Sequence, residues 1–494
     1  MRLHAVRLSA RAEPARSPLV WKAMRTPSVL HVGLLAVAAG LVVACATPAA
    51  LPARPSAAAT PEIAASSLAV PTQAPMVRPA GGSASLLLVR VEDPGPNGSL
   101  IQQELGVLRA RPIDPMTLRD IPGFTPLELG HHYRALLSPD RRTLATIVWP
   151  SGSSSAGGVL HFVDPVAWTD RVTGVQIDES TAWLEWSKDG TQLFWMRYIG
   201  DPSLTQYAVF ATDGAVPSAR ELMRLPAGFQ PYEARLIGSR LAVVGATDQH
   251  GLATGDASVV FVDVPAGQVS SLLPLAGLRL GQFNVSEPGL YPFRMISPAL
   301  AWDLPRGRLI VVDAERDVVR VVDLSSATES GPLEIRARAV KGAGTAKMVS
   351  TTRKVAALSA DGRWLYVSGM REDVSGQGPD MHLTPIALQR IDMTDRSETA
   401  RGDGGKGLWL SSDGSRVVLF GETVTVVDAN GLRQISHFGT PATAVVAGER
   451  GSIAYLAHVS YPGVSTLRAV DLATGRIAAT REIARHVADV IALP

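Results

Sequence analysis

Residues 357–367 read Ala-Leu-Ser-Ala-Asp-Gly-Arg-Trp-Leu-Tyr-Val, and the fold follows from how this stretch is parsed. A short extendable run is followed by Asp361-Gly362, a strong hairpin signal, and then by aromatic and β-branched residues 364–367, which favour a pleated strand. Residues 386–392 supply a third run that ends in Asp392.

The same grammar recurs on both sides. Residues 135–140 lead through Ser138-Pro139-Asp140 to runs at 144–149 and 159–164, the last ending in Asp164. Residues 182–190 lead through Ser187-Lys188-Asp189-Gly190 to runs at 193–198 and 207–213. Residues 408–414 do so through Ser411-Ser412-Asp413-Gly414, with a third run ending in Asp428. Fainter versions end in Asp263, Asp323 and Asp471. A period of about 40 to 60 residues, with no long helical periodicity, predicts an all-β ring: a single β-propeller of seven or eight four-stranded blades. Repetition makes 494 residues one large domain and not three ordinary ones.

The turn chemistry explains the recurrence. Asp accepts backbone hydrogen bonds within the turn, and Gly takes the positive φ that other residues avoid. Asp164, Asp263, Asp323, Asp392, Asp428 and Asp471 stand at matching points of their units, so they are expected to tie turns and not to form a catalytic pair.

The first unit, from Leu86, has no inner strand before it, while residues 487–493 form an apolar run with no unit of their own. That run is expected to complete the first blade and close the ring.

The N-terminus has a different character. The first 44 residues hold six of the chain's 47 basic residues and one, Glu13, of its 45 acidic residues, which leaves the remainder with 41 basic against 44 acidic. A slightly acidic body argues against a nucleic-acid partner. Residues 28–44 are apolar, follow Lys22 and Arg25, and are short for a membrane span, as a secretory signal would be. They end at Cys45, the only cysteine, so no intrachain disulfide is expected. Met24 followed by Arg25 would start a signal of ordinary length. Residues 46–83 are rich in Ala, Pro, Ser and Thr and read as a disordered tether, leaving 84–494 for the propeller.

Val42-Val43-Ala44-Cys45 resembles the lipobox of bacterial lipoproteins, although Val42 stands where Leu is usual. That resemblance implies cleavage before Cys45, lipidation of its thiol, and a membrane anchor on the extracytoplasmic side, with residues 1–45 as the signal. The Ser-x-Asp-Gly turns, together with Asp471-Leu472-Ala473-Thr474-Gly475, resemble the YVTN and WD-repeat-like β-propellers of bacterial envelopes. This second resemblance carries a fold and no particular activity.

Motifs for chemistry are sparse. There is no Gly-x-Ser-x-Gly elbow, no cysteine pair for haem attachment, no phosphate-cradling loop and no metal-ligand spacing among the 10 histidines. The sequence therefore indicates no catalytic residue, no metal and no cofactor. His131-His132 is the one histidine pair, placed before a strand where propeller loops line the channel, and is the candidate ligand pair. Trp183, Trp302, Trp364 and Trp409 are expected to pack between blades. The expected role is a binding or scaffolding module for protein or glycan, located in the long connections 272–298, 325–351 and 371–385. The alternative is a propeller enzyme of the lactonase or quinoprotein-dehydrogenase type, with its site over the central channel.

Overall fold

The computed structural model describes residues 86–93, 107–130, 133–148, 158–177, 181–199, 205–213, 218–249, 252–284, 293–334, 349–374, 381–447, 452–458, 464–483 and 487–493. They form a β-propeller of eight blades, each with four antiparallel strands. The faint fourth unit is a full blade, which settles the count at eight. Apart from one turn of 3-10 helix at Leu304–Arg306, every named element is a strand.

The strands nearest the axis are, from blade 1 to blade 8, Val487–Ala492, Tyr133–Leu137, Thr181–Trp186, Phe229–Ile237, Ala299–Asp303, Val349–Leu358, Gly407–Leu410 and Ala444–Ala447. The ring closes as the sequence predicts. Leu86 pairs with Ala492 and Leu88 with Val490, so the C-terminal strand is the inner strand of the first blade.

The Ser-x-Asp turns are built alike. In blade 3, Ser187 Oγ donates to Asp189 Oδ1 at 2.6 Å, the Thr191 N–H donates to the same oxygen at 3.1 Å, and the Gln192 N–H donates back to Ser187 Oγ at 2.9 Å. Blades 2, 6 and 7 repeat the pattern with Asp140, Asp361 and Asp413. Glycine supplies the positive φ at Gly190, Gly362 and Gly414, whereas blade 2 places Arg141 there at φ 61°. Arg141 donates to the Ala492 carbonyl at 3.2 Å, which joins this turn to the closing strand.

The strand-ending aspartates tie turns as expected. Asp164 accepts the N–H groups of Val166 and Ala167, Asp428 those of Asn430 and Gly431, and Asp471 that of Thr474. Asp323 accepts two N–H groups and two hydroxyls, which hold its carboxyl far below the usual range.

Both faces of each sheet are covered by its neighbours. Phe194, Met196 and Val209 of blade 3 pack on Leu241, Val243 and Val260 of blade 4. Such apolar burial supplies most of the stabilisation at about 25 cal/mol per Å². Trp183 and Trp186 do more than pack, because their N–H groups stitch inner strands together. Trp186 donates to the Leu136 carbonyl of blade 2 at 3.0 Å, and Trp183 to the Ala234 carbonyl of blade 4 at 2.9 Å.

The three long connections are corrected in part. Residues 325–351 include the outer strand Thr328–Glu334, and 371–385 include the ends of two long strands, Trp364–Val374 and Met381–Asp392. Residues 272–298 hold an extra hairpin, Gly281–Asn284 with Phe293–Ser297.

Candidate functional site at the strapped end of the channel

The extra hairpin breaks the eightfold repeat. It lies in sequence between blades 4 and 5, yet Phe293–Ser297 pairs with the inner strand of blade 6, residue 293 with 349 through residue 297 with 353. This is the one parallel pairing among the described strands, and it turns blade 6 into a six-stranded sheet. On its other side, Gly281 packs against Ala253 of blade 4, 3.2 Å from where a glycine Cβ would stand. The hairpin thus forms a strap from blade 4 to blade 6 that passes over blade 5.

Local sequence explains the strap. Leu275, Leu278 and Leu280 are buried between blades 4 and 5 and pin its approach. Pro298 follows it, where a missing N–H suits the break between the strap and the inner strand of blade 5. Blade 5 holds it from below: Arg294 pairs with Glu315 at 2.7 Å, and Arg320 Nη2 donates to the Ala276 carbonyl at 2.6 Å. Lys354, buried on blade 6, donates to the Arg316 carbonyl at 3.0 Å. The flanking hairpins rise around the strap. Their strands run to 10 and 12 residues in blade 4 and to 11 and 12 in blade 6, against 5 and 6 in blade 5.

Below the strap, three adjacent inner strands bring together Glu185 of blade 3, Glu233 and Arg235 of blade 4, and Trp302 of blade 5. Trp302 Nε1 donates to Glu233 Oε1 at 2.7 Å, and Arg235 Nη2 lies 3.2 Å from the same oxygen. Glu185 Oε2 accepts the Leu236 N–H at 3.1 Å. Burial raises the Glu185 carboxyl to about 7, with Glu233 adding to the rise and Arg235 opposing it. Glu233 is raised too, again by burial first, against Arg235 and the indole hydrogen bond. Two carboxylates share one guanidinium, so this wall carries one negative charge more than it can pair when both are ionised.

Tyr232 and Ser297 meet where the strap crosses the channel wall, and the charge of Arg353 on blade 6 reaches the Tyr232 hydroxyl. Burial nevertheless holds that phenol above its ordinary range. The predicted ligand pair, His131 and His132, and the predicted lipidation site, Cys45, lie outside the described residues. Among the described residues no group of three or more His, Cys, Asp and Glu could hold a metal ion. No helix there is long and apolar enough to cross a membrane.

Sequence reasoning did not single out Glu185, Glu233 or Arg235. The signal available was weak: charged residues interrupting inner strands otherwise rich in Trp, Leu and Ala, where a core packed from both sides has little room for charge.

No family model matches the chain, and neither does any curated protein. Solved structures do resemble it. A eukaryotic initiation factor is 12% identical with a TM-score of 0.49, over 84% of this chain and 99% of that one. The dihydro-heme d1 dehydrogenase NirN is 14% identical with a TM-score of 0.50, over 84% and 76%. A periplasmic gluconolactonase of Pseudomonas aeruginosa, PpgL, is 16% identical with a TM-score of 0.39, over 73% and 99%. At these identities the likeness is one of fold.

Proposed function

We propose that the chain is a membrane-anchored, extracytoplasmic β-propeller lipoprotein that binds or scaffolds a protein or glycan through the strapped end of its ring. The observation that carries the reading is the strap. An eight-bladed ring closed by its own C-terminal strand needs no second connection across three blades, and rigid scaffolds present their specificity in the segments that do not repeat. The anchor rests on residues 28–45, whose apolar run ends at the only cysteine.

The test is capture from detergent-solubilised envelope. Gly281 pairs with Ile296, so residues 282–295 can be replaced by a two-residue turn without separating the ends that remain. The intact chain is expected to retain a partner that the shortened chain loses while still melting cooperatively. Equal capture by both, or by neither, refutes the assignment.

One observation favours the rival enzyme reading: Glu185 sits at the channel wall with a carboxyl raised to about 7, in the range useful for proton transfer. Its Oε2 is engaged by a backbone N–H, and Glu233 by an indole and a guanidinium. Those bonds make the pair a structural junction between three blades, and the binding reading is the stronger.

A further inference from the structure

Among the described residues around the strap, each buried or half-buried cation is matched but one. Lys354 faces Asp317 at 3.6 Å and donates to a carbonyl, and Arg294 is paired with Glu315. Arg371 is paired with Asp373 at 2.9 Å, and Lys406 stands between Glu372 and Glu422 at 3.2 and 3.1 Å. Arg353 is the exception. It is half-buried on the inner strand of blade 6, in register with Ser297 of the strap, and its side chain makes no hydrogen bond or ion pair among the described residues.

A guanidinium drawn partly out of water with no counter-charge among the described residues carries a cost that those residues do not offset. Its planar fork of donors matches an oxyanion, and the hydroxyls of Tyr232 and Ser297 stand on the same stretch of wall. Glu233, on the same wall, accepts from Trp302 and lies 3.2 Å from Arg235.

We propose that Arg353, with the hydroxyls of Tyr232 and Ser297, forms an anion site under the strap for a ligand bearing a carboxylate or phosphate group. This deepens the binding reading above by naming the chemistry the ligand must present. A charge-assisted fork of this kind gives orientation as well as affinity, so it selects a compact oxyanion over a neutral sugar of the same shape.

The experiment is a thermal-shift and calorimetric titration of the full chain with inorganic phosphate, D-glucuronate, neutral D-glucose, and chloride at matched ionic strength. A saturable rise in melting temperature is expected with phosphate or glucuronate and not with glucose or chloride, and whichever of the two anions binds more tightly identifies the group. Arg353→Gln should abolish the response, and Arg353→Lys, which keeps the charge and loses the fork, should weaken affinity about tenfold. Should Arg353→Gln fail to fold, Ser297→Ala and Tyr232→Phe together serve instead and should weaken binding several-fold. No response to either anion beyond that of chloride overturns the site, as does an affinity left unchanged in the variant that folds. Capture of a partner is measured separately, so either proposal can fail while the other stands.

Discussion

Replacement of Glu185 by Gln tests the channel wall most sharply, because the effect must change with pH in one direction. The carboxyl is raised from 4.5 to about 7, chiefly by burial. The folded state therefore holds a proton that the unfolded chain has already released between these values, and stability falls as pH rises through that window. At 1.36 kcal/mol per pKa unit the full loss is about 3 kcal/mol, complete above about pH 7.5. Gln keeps the carbonyl oxygen that accepts the Leu236 N–H at 3.1 Å and cannot ionise. In urea denaturation of the purified protein, Glu185→Gln should be within about 1 kcal/mol of the parent at pH 4.5 and more stable by about 2 to 3 kcal/mol at pH 8. The turn carboxylates, Asp189 and Asp361 among them, are held below their usual range and lose their contribution as pH falls. They are common to both proteins and cancel in the difference. A difference that is the same at both pH values would show that Glu185 is no more buried in charge terms than a surface carboxylate, and the account of this wall would fall.

Other expectations follow from single features. Gly362→Ala places a Cβ 2.6 Å from Arg306 Nη1 and 2.9 Å from Asp303 Oδ2 at φ +68°, whereas Gly414→Ala meets nothing within 4 Å at φ +70°. The first should cost about 2 to 3 kcal/mol and the second about 1, read by urea denaturation. Truncation after Arg485 removes Val487, Val490 and Leu493, each about 1% exposed. At about 2 kcal/mol for each buried side chain, before counting the lost ladder, the remaining chain should lack a cooperative melting transition; an unchanged melting curve would refute the closure. Cys45→Ala should move the protein from the membrane pellet to the soluble fraction of lysed cells, and retention in the pellet would count against lipid anchoring.

The blades were legible because their information is local. Ser359, Asp361 and Gly362 sit within four residues of one another, and each hydrogen bond they make stays within the same turn. Closure was legible for a related reason: an unpaired apolar run at one end and a missing strand at the other admit one solution. The strap was not legible. Residues 293–297 find their partners 56 positions onward in parallel register, and nothing in Phe-Arg-Met-Ile-Ser names that partner. Glu185 and Glu233 escaped because a carboxylate in an alternating strand reads as solvent-facing. Only a neighbouring blade reveals that each turns inward, through Arg235 for Glu185 and Trp302 for Glu233.

The closure also bears on how the ring would carry load. The strand Leu86–Asp93 is flanked on one side by Val487–Ala492 and on the other by Val107–Ile113, so it is gripped along both edges. A pull applied through the chain before Leu86 runs along this strand and strains both ladders in shear, every bond sharing the force, instead of peeling them open one at a time. In a ring of eight, blade 1 stands opposite blade 5, the blade beneath the strap. Tension between a tether on one side and a captured ligand on the other would cross the full diameter of the disc and end in this doubly flanked strand.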